Sequence, residues 1–181
     1  MSPTWRRKFR EHRGKTLIEL CRRPQIEERI AGFVIEFSDD WILLHRLDWN
    51  TFIVDGYSLV RVSDVENLRI FSHRDNWPKQ AVRKLRLRPK RIKINLNTLA
   101  EAITDISEKV PLIHVEREVR YPKECWIGYP VEIGPKQLVL ECLDHLASWD
   151  GHYSMMLKDI TRIDFEGGYE RALALTAPKR P

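Results

Sequence analysis

Short apolar runs separated by turn residues organise this chain, and no long helical period does. Residues 16–20 alternate enough to predict a strand, and residues 30–37 predict a second, with apolar positions alternating around Glu36. Ser38, Asp39 and Asp40 are turn chemistry. Trp41, Ile42, Leu43 and Leu44 form a continuous apolar run, too short for a helix and bounded by turn residues. That run predicts a central strand buried on both faces. Asp55-Gly56 predicts a tight turn. Residues 57–62 and 65–71 complete five short strands at regular spacing, the pattern of a small barrel.

Helical signals flank these strands. Residues 2–13 predict a short basic helix with Thr4 as its N-cap. Residues 77–85 predict another, with Pro78 tolerated in its first turn. Residues 89–96 read as extended and basic. Thr98 and Glu101 form a capping-box pattern that opens a helix running to about residue 109, where Pro111 stops it.

The second half of the chain then repeats the first. Gly32 matches Gly128, Leu44 matches Leu140, and Leu47-Asp48 matches Leu143-Asp144. Asp55-Gly56 matches Asp150-Gly151, and Asp64-Val65 matches Asp159-Ile160, with one residue dropped between the landmarks. Residues 111–115 stand where residues 16–20 stand in the first copy, and residues 169–175 predict the counterpart of the helix at 77–85. A duplicated unit precedes any other reading. The predicted fold class is mainly β with short helices (α+β). It consists of two tandem SH3-like five-stranded barrels, each with a leading helix and a short tail helix. Residues 1–88 make the first unit, with the basic N-terminal helix, and residues 89–181 the second.

Composition adds bounds. At 181 residues, 43% hydrophobic and 31% charged, the chain fits an ordinary soluble globular protein of one domain or two small ones. No apolar run approaches the roughly 20 residues of a membrane span, so no membrane association is expected. The first residues lack the apolar core of a secretory signal; scarce serine and Glu11 also speak against an organelle transit peptide. Three cysteines (Cys21, Cys125, Cys142) without paired spacing suit a reducing cytosol, hence a cytoplasmic location.

The formal charge of +5 is unevenly placed. Between residues 76 and 100 there is no acid, while Lys79, Arg83, Lys84, Arg86, Arg88, Lys90, Arg91 and Lys93 contribute eight positive charges. Residues 1–15 add six Lys or Arg against one Glu. Segregated charge of this kind points to RNA or another polyanion, or to an acidic protein.

Residues 32–44, followed by a turn and residues 57–65, resemble the Sm-like family, especially its bacterial Hfq branch. The likeness rests on the glycine in a bent second strand, an Asp-containing turn, an apolar third strand, and a short strand pair closing the unit. The resemblance covers most of each half and implies RNA binding by rings of subunits joined edge to edge. Trp41 falls where Hfq-type proteins place an aromatic that stacks on bases, so it joins the eight cations as a candidate nucleic-acid contact. A core or inter-barrel role for Trp41 is the favoured alternative. The Lys-His pair of the family motif is replaced by Val62-Ser63, and in the second copy Gln137 stands at the Trp41 position. The family's uridine pocket is therefore not carried over.

No catalytic constellation stands out, and a non-enzymatic protein without cofactor or metal is expected. Cys142 and His145, with His152 and Cys125, have zinc-ligand types but lack a second close pair. Ser148, Asp150 and His152 crowd one turn without a nucleophile elbow. Asp48, Asp55 and Asp64 recur as Asp144, Asp150 and Asp159, which argues for turn formation and backbone capping rather than acid–base work. Two functions remain. One is RNA association through the basic segment. The other is protein interaction or self-association through barrel edges and the aromatics Trp49, Trp126 and Trp149.

Overall fold

In the computed structural model, which describes residues 1–23, 29–72 and 76–180, alternating side chains share the strands of the first half between two apolar clusters. The chain forms two compact units, Met1–Lys93 and Ile94–Pro181.

The first unit runs α1 (Pro3–His12), β1 (Leu17–Arg22), β2 (Arg29–Phe37), β3 (Trp41–Asp48), β4 (Ile53–Arg61), a 3-10 turn (Val62–Asp64), β5 (Val65–Ile70) and α2 (Trp77–Lys84). Its strands are antiparallel in the order β5-β1-β2-β3-β4. Period-2 alternation sends Ile18, Leu20, Ile42 and Leu44 into a cluster with Phe9 of α1. Leu17, Ala31, Phe33 and Leu47 join a second cluster, against which Val82 of α2 and Leu87 pack. The apolar run from Trp41 to Leu44 is buried throughout, as a strand covered on both faces requires. The N-cap of α1 is Ser2, whose Oγ accepts from the Trp5 N–H, and not Thr4.

The second unit runs α3 (Leu99–Ser107), β6 (Ile113–Glu116), β7 (Cys125–Ile133), β8 (Gln137–Leu143), β9 (Trp149–Met156), a 3-10 turn (Leu157–Asp159), β10 (Arg162–Phe165) and α4 (Gly168–Thr176). The order β10-β6-β7-β8-β9 repeats that of the first unit. Thr98 caps α3, its Oγ1 accepting from the Glu101 N–H at 3.1 Å. Leu112, Ile127, Leu143 and Leu173 rebuild the second cluster of the first unit at matching positions.

The duplication reaches down to backbone irregularities. Ile35 is an extra residue between the pairs Val34↔Leu44 and Glu36↔Leu43, and Val131 is extra between Pro130↔Leu140 and Glu132↔Val139. These bulges bend the long second strand of each unit. The glycines before them permit close strand approach. A Cβ on Gly32 would stand 2.5 Å from the His45 carbonyl oxygen, and one on Gly128 2.2 Å from that of Glu141.

Two expectations are corrected. Asp55-Gly56 is not a turn but lies inside β4, where the register passes from His45↔Tyr57 to Leu47↔Val54. Gly56 supplies the positive φ, 64°, that this bulge needs, and Gly151 (96°) does so in β9. The turn itself falls earlier, where the Asp48 carboxylate accepts from the N–H groups of Asn50 (2.7 Å) and Thr51 (3.1 Å). Asp144 does the same for Leu146 (2.8 Å) and Ser148 (2.9 Å). The expected closed barrel is also absent. Among the described residues each unit is an open antiparallel sheet, with no pairing between the first and last strands of its order. Among the described residues no helix is long and apolar enough to cross a membrane.

Candidate functional site

The segment after β5 is where the charge asymmetry becomes a surface. Helix α2 carries no acid in its first turn and ends on Arg83 and Lys84, cations that suit the negative end of the helix dipole. Val82 turns inward onto the cluster around Phe33, which leaves Lys79, Arg83 and Lys84 facing outward.

A Schellman turn closes the helix. The Leu87 N–H donates to the Val82 carbonyl at 3.0 Å, and the Arg86 N–H to the Arg83 carbonyl at 3.2 Å. Val82 and Leu87 pack on the same apolar cluster, completing the motif. The left-handed position within it (φ 55°) is held by Arg86, where glycine is the usual occupant. A branched-off side chain in that conformation costs about 1 kcal/mol, and such cost is found where a side chain is needed for something else.

Around this turn lies a cleft of about 810 Å³, lined by Lys15, Phe33, Lys79, Gln80, Val82, Arg83, Arg86, Leu87 and Arg88, with Gly14 and Pro89 at its rim. Lys15 reaches the cleft because Gly14, at φ 63°, turns the chain from α1 towards β1 while its N–H donates to the Val34 carbonyl at 2.7 Å. Five cations therefore line the cleft, and among the described residues no carboxylate does. Among the described residues, no carboxylate pairs with Lys79, Arg83, Arg86 or Arg88.

The extended segment beyond the turn is fastened to the sheet. Buried His45 accepts from the Lys90 N–H at 3.0 Å, while the Tyr57 hydroxyl donates to the Lys90 carbonyl at 3.4 Å. The two rings stack with centroids 4.7 Å apart. Burial and the nearby Lys90 charge, only partly offset by Asp55, bring the His45 pKa down to about 4. The ring is therefore neutral at pH 7 and able to accept through Nδ1.

All eight cations predicted from the sequence are exposed. Lys79, Arg83, Arg86 and Arg88 come together in the cleft, whereas Lys84, Lys90, Arg91 and Lys93 lie along the same segment outside its lining. Lys15 belongs to the cleft and was not singled out as a site residue. Its signal was the basic N-terminal stretch, which only the fold brings near α2.

Trp41 is corrected as a base-stacking candidate. It is buried, 6% exposed, at the start of β3, so its ring is not presented to a ligand. The aromatics expected at an interaction surface are likewise engaged internally. Trp49 packs on Phe52, Phe71 and Trp77. Trp126 is buried beneath the Arg117 guanidinium, 3.9 Å from its ring centre. Trp149 donates its indole N–H to the Pro178 carbonyl at 3.1 Å.

Ser148, Asp150 and His152 make no hydrogen bond to one another among the described residues. Cys142 is buried, and its burial, with the Asp150 charge, pushes its pKa up to about 12, so it is no ready thiolate. No protein-family model, curated protein or solved structure matches this chain.

Proposed function

We propose that this chain is a non-enzymatic binding protein that holds RNA or another polyanion along residues 79–93, with the cleft beneath α2 as the principal contact. The observation that carries this reading is the set of five cations lining one cleft, with no acid in its lining among the described residues. Phosphates spaced along a strand neutralise such charges and release counterions, which stabilises the complex most at low salt. The Sm-like reading of each unit belongs with this proposal. It is supported by the strand order β5-β1-β2-β3-β4, the 3-10 turn before the last strand, and the leading helix. In this reading the units are opened relatives of that arrangement.

Fluorescence anisotropy with a labelled single-stranded RNA tests the proposal. Affinity is expected to fall steeply between about 50 and 200 mM salt, with the slope of log K against log salt reduced by roughly 0.7 for each cleft cation replaced by Gln. Binding that ignores both salt and the combined Lys79→Gln, Arg83→Gln, Arg86→Gln and Arg88→Gln substitutions would end it.

A second reading, interaction with a protein partner or a second copy, is favoured by β9. This strand closes the order of its unit and leaves Tyr153 42% and Met156 37% exposed. An unpaired strand edge beside apolar side chains is a ready pairing surface. A monomeric mass in light scattering at high concentration, with no co-purifying protein, would remove this reading.

A further inference from the structure

On β6, His114 and Glu116 stand two residues apart, so their side chains leave the strand on the same face. Cys125 opens β7 directly opposite Glu116 in the β6–β7 register. The donor atoms of these three residues all lie within 4.8 Å of one another. His114 Nε2 is 3.1 Å from Glu116 Oε1 and is buried, with no well-aligned hydrogen bond among the described residues. The other ring nitrogen, Nδ1, faces the Glu170 carboxylate of α4 at 3.4 Å.

Around this trio the charge is predominantly negative. Glu116, Glu118, Asp164 and Glu170 gather near one imidazole and one guanidinium, that of Arg162. Arg162 donates to Glu116 Oε1 at 3.0 Å and so holds the carboxylate in place.

The fold does not require this cluster. The matching positions of β1 carry Glu19 and Cys21, and Glu19 stands there near two guanidinium groups, those of Arg29 and Arg69, each at 3.9 Å, with no imidazole beside it among the described residues.

We propose that His114, Glu116 and Cys125 form a zinc site in the second unit, with one coordination position open to solvent. A mixed set of imidazole, carboxylate and thiolate donors suits Zn²⁺ and disfavours the all-oxygen ions Mg²⁺ and Ca²⁺. Glu170 takes the role that a carboxylate plays behind a metal-bound histidine, accepting from Nδ1–H so that the Nε2 lone pair is directed at the ion. Cys125 is exposed, which leaves the open position facing water. Uptake of Zn²⁺ releases the Cys125 thiol proton and the proton on His114 Nε2 to solvent, and no redox change is involved.

The full-length chain, purified free of metal, is titrated with zinc sulfate by calorimetry and with Co²⁺ by absorption spectroscopy. The expected result is one ion per chain, a thiolate-to-cobalt charge-transfer band, and displacement of Co²⁺ by Zn²⁺. Cys125→Ser alters an exposed side chain, so the circular dichroism spectrum stays that of the parent while the band disappears. Glu170→Gln keeps the band and weakens the affinity by about 10–100-fold, the usual effect of losing such an outer partner. Absence of uptake overturns the proposal, as does uptake unchanged in both Cys125→Ser and His114→Ala.

Discussion

The two units share a frame and differ in what the frame carries. Both bend their second strand at a bulge whose extra residue lies three positions beyond a glycine that has no room for a Cβ. Both turn on an aspartate that accepts from two backbone N–H groups. Both use a side chain of the third strand to fasten the segment after the tail helix. His45 accepts from Lys90 in one, and Glu141 pairs with Arg180 at 3.3 Å in the other.

The tail helices show where divergence was permitted. Each sends one aliphatic residue inward, Val82 or Leu173, onto equivalent apolar clusters. The polar face of α2 presents Lys79 and Arg83 to a cationic cleft, while α4 sets Glu170 against His114. Inward positions are constrained by packing, since losing or adding a methylene in a dense core is felt directly. Positions outside that apolar cluster are free to acquire chemistry, at the surface for Lys79 and Arg83 and in a buried polar pair for Glu170.

The largest effect is expected from the shared glycines. A Cβ at residue 128 would overlap backbone atoms that no rotamer can move, so Gly128→Ala forces β7 and β8 apart and destabilises the second unit by about 3 kcal/mol or more. Gly32→Ala, with slightly more room, should cost less. Urea denaturation of both variants checks the order, and equal midpoints to the parent would break the equivalence of the two sites.

The fastening residues come next, and pH separates them. The unfolded chain protonates His45 near 6.5, whereas the folded chain resists until about 4. The folded state therefore binds fewer protons between these values. The His45 contribution is complete above pH 6.5, is lost as pH falls towards 4, and changes no further below that. The span corresponds to about 3 kcal/mol. Subtracting the pH–stability profile of His45→Gln from that of the parent should leave this step. A flat difference would mean that the ring is not held neutral.

The smallest expected effect is on the cleft turn. Arg86→Gly relieves the left-handed strain and should raise stability by about 1 kcal/mol while weakening polyanion binding. A variant that is more stable and binds undiminished would show that Arg86 serves the turn alone.

Much of the frame was legible in the chain. Periodicity located the strands to within a few residues, and residues 111–115 were matched as the counterpart of residues 16–20, an equivalence the pairings Ile18↔Gly32 and Ile113↔Gly128 bear out. Other features were misread for identifiable reasons. Asp-Gly is a turn signal because glycine accepts positive φ, but a bulge inside a strand makes the same demand, and local sequence does not distinguish them. Trp41 was a base-stacking candidate only through the family resemblance, with a core role favoured, and it is buried. Cys125 was considered as a metal ligand with Cys142, His145 and His152, which are its neighbours along the chain. Its neighbours in space are His114 and Glu116, joined to it by strand pairing.

The sequence by itself determined the strands, the duplication and the uneven charge, because each depends on residues close together in the chain. Tertiary structure alone decided that each sheet stays open, that Lys15 meets the α2 cations, and that an imidazole, a carboxylate and a thiol converge on β6 and β7. Those outcomes depend on the register between strands. A shift of one residue between β6 and β7 would put Cys125 on the opposite face of the sheet from His114 and Glu116.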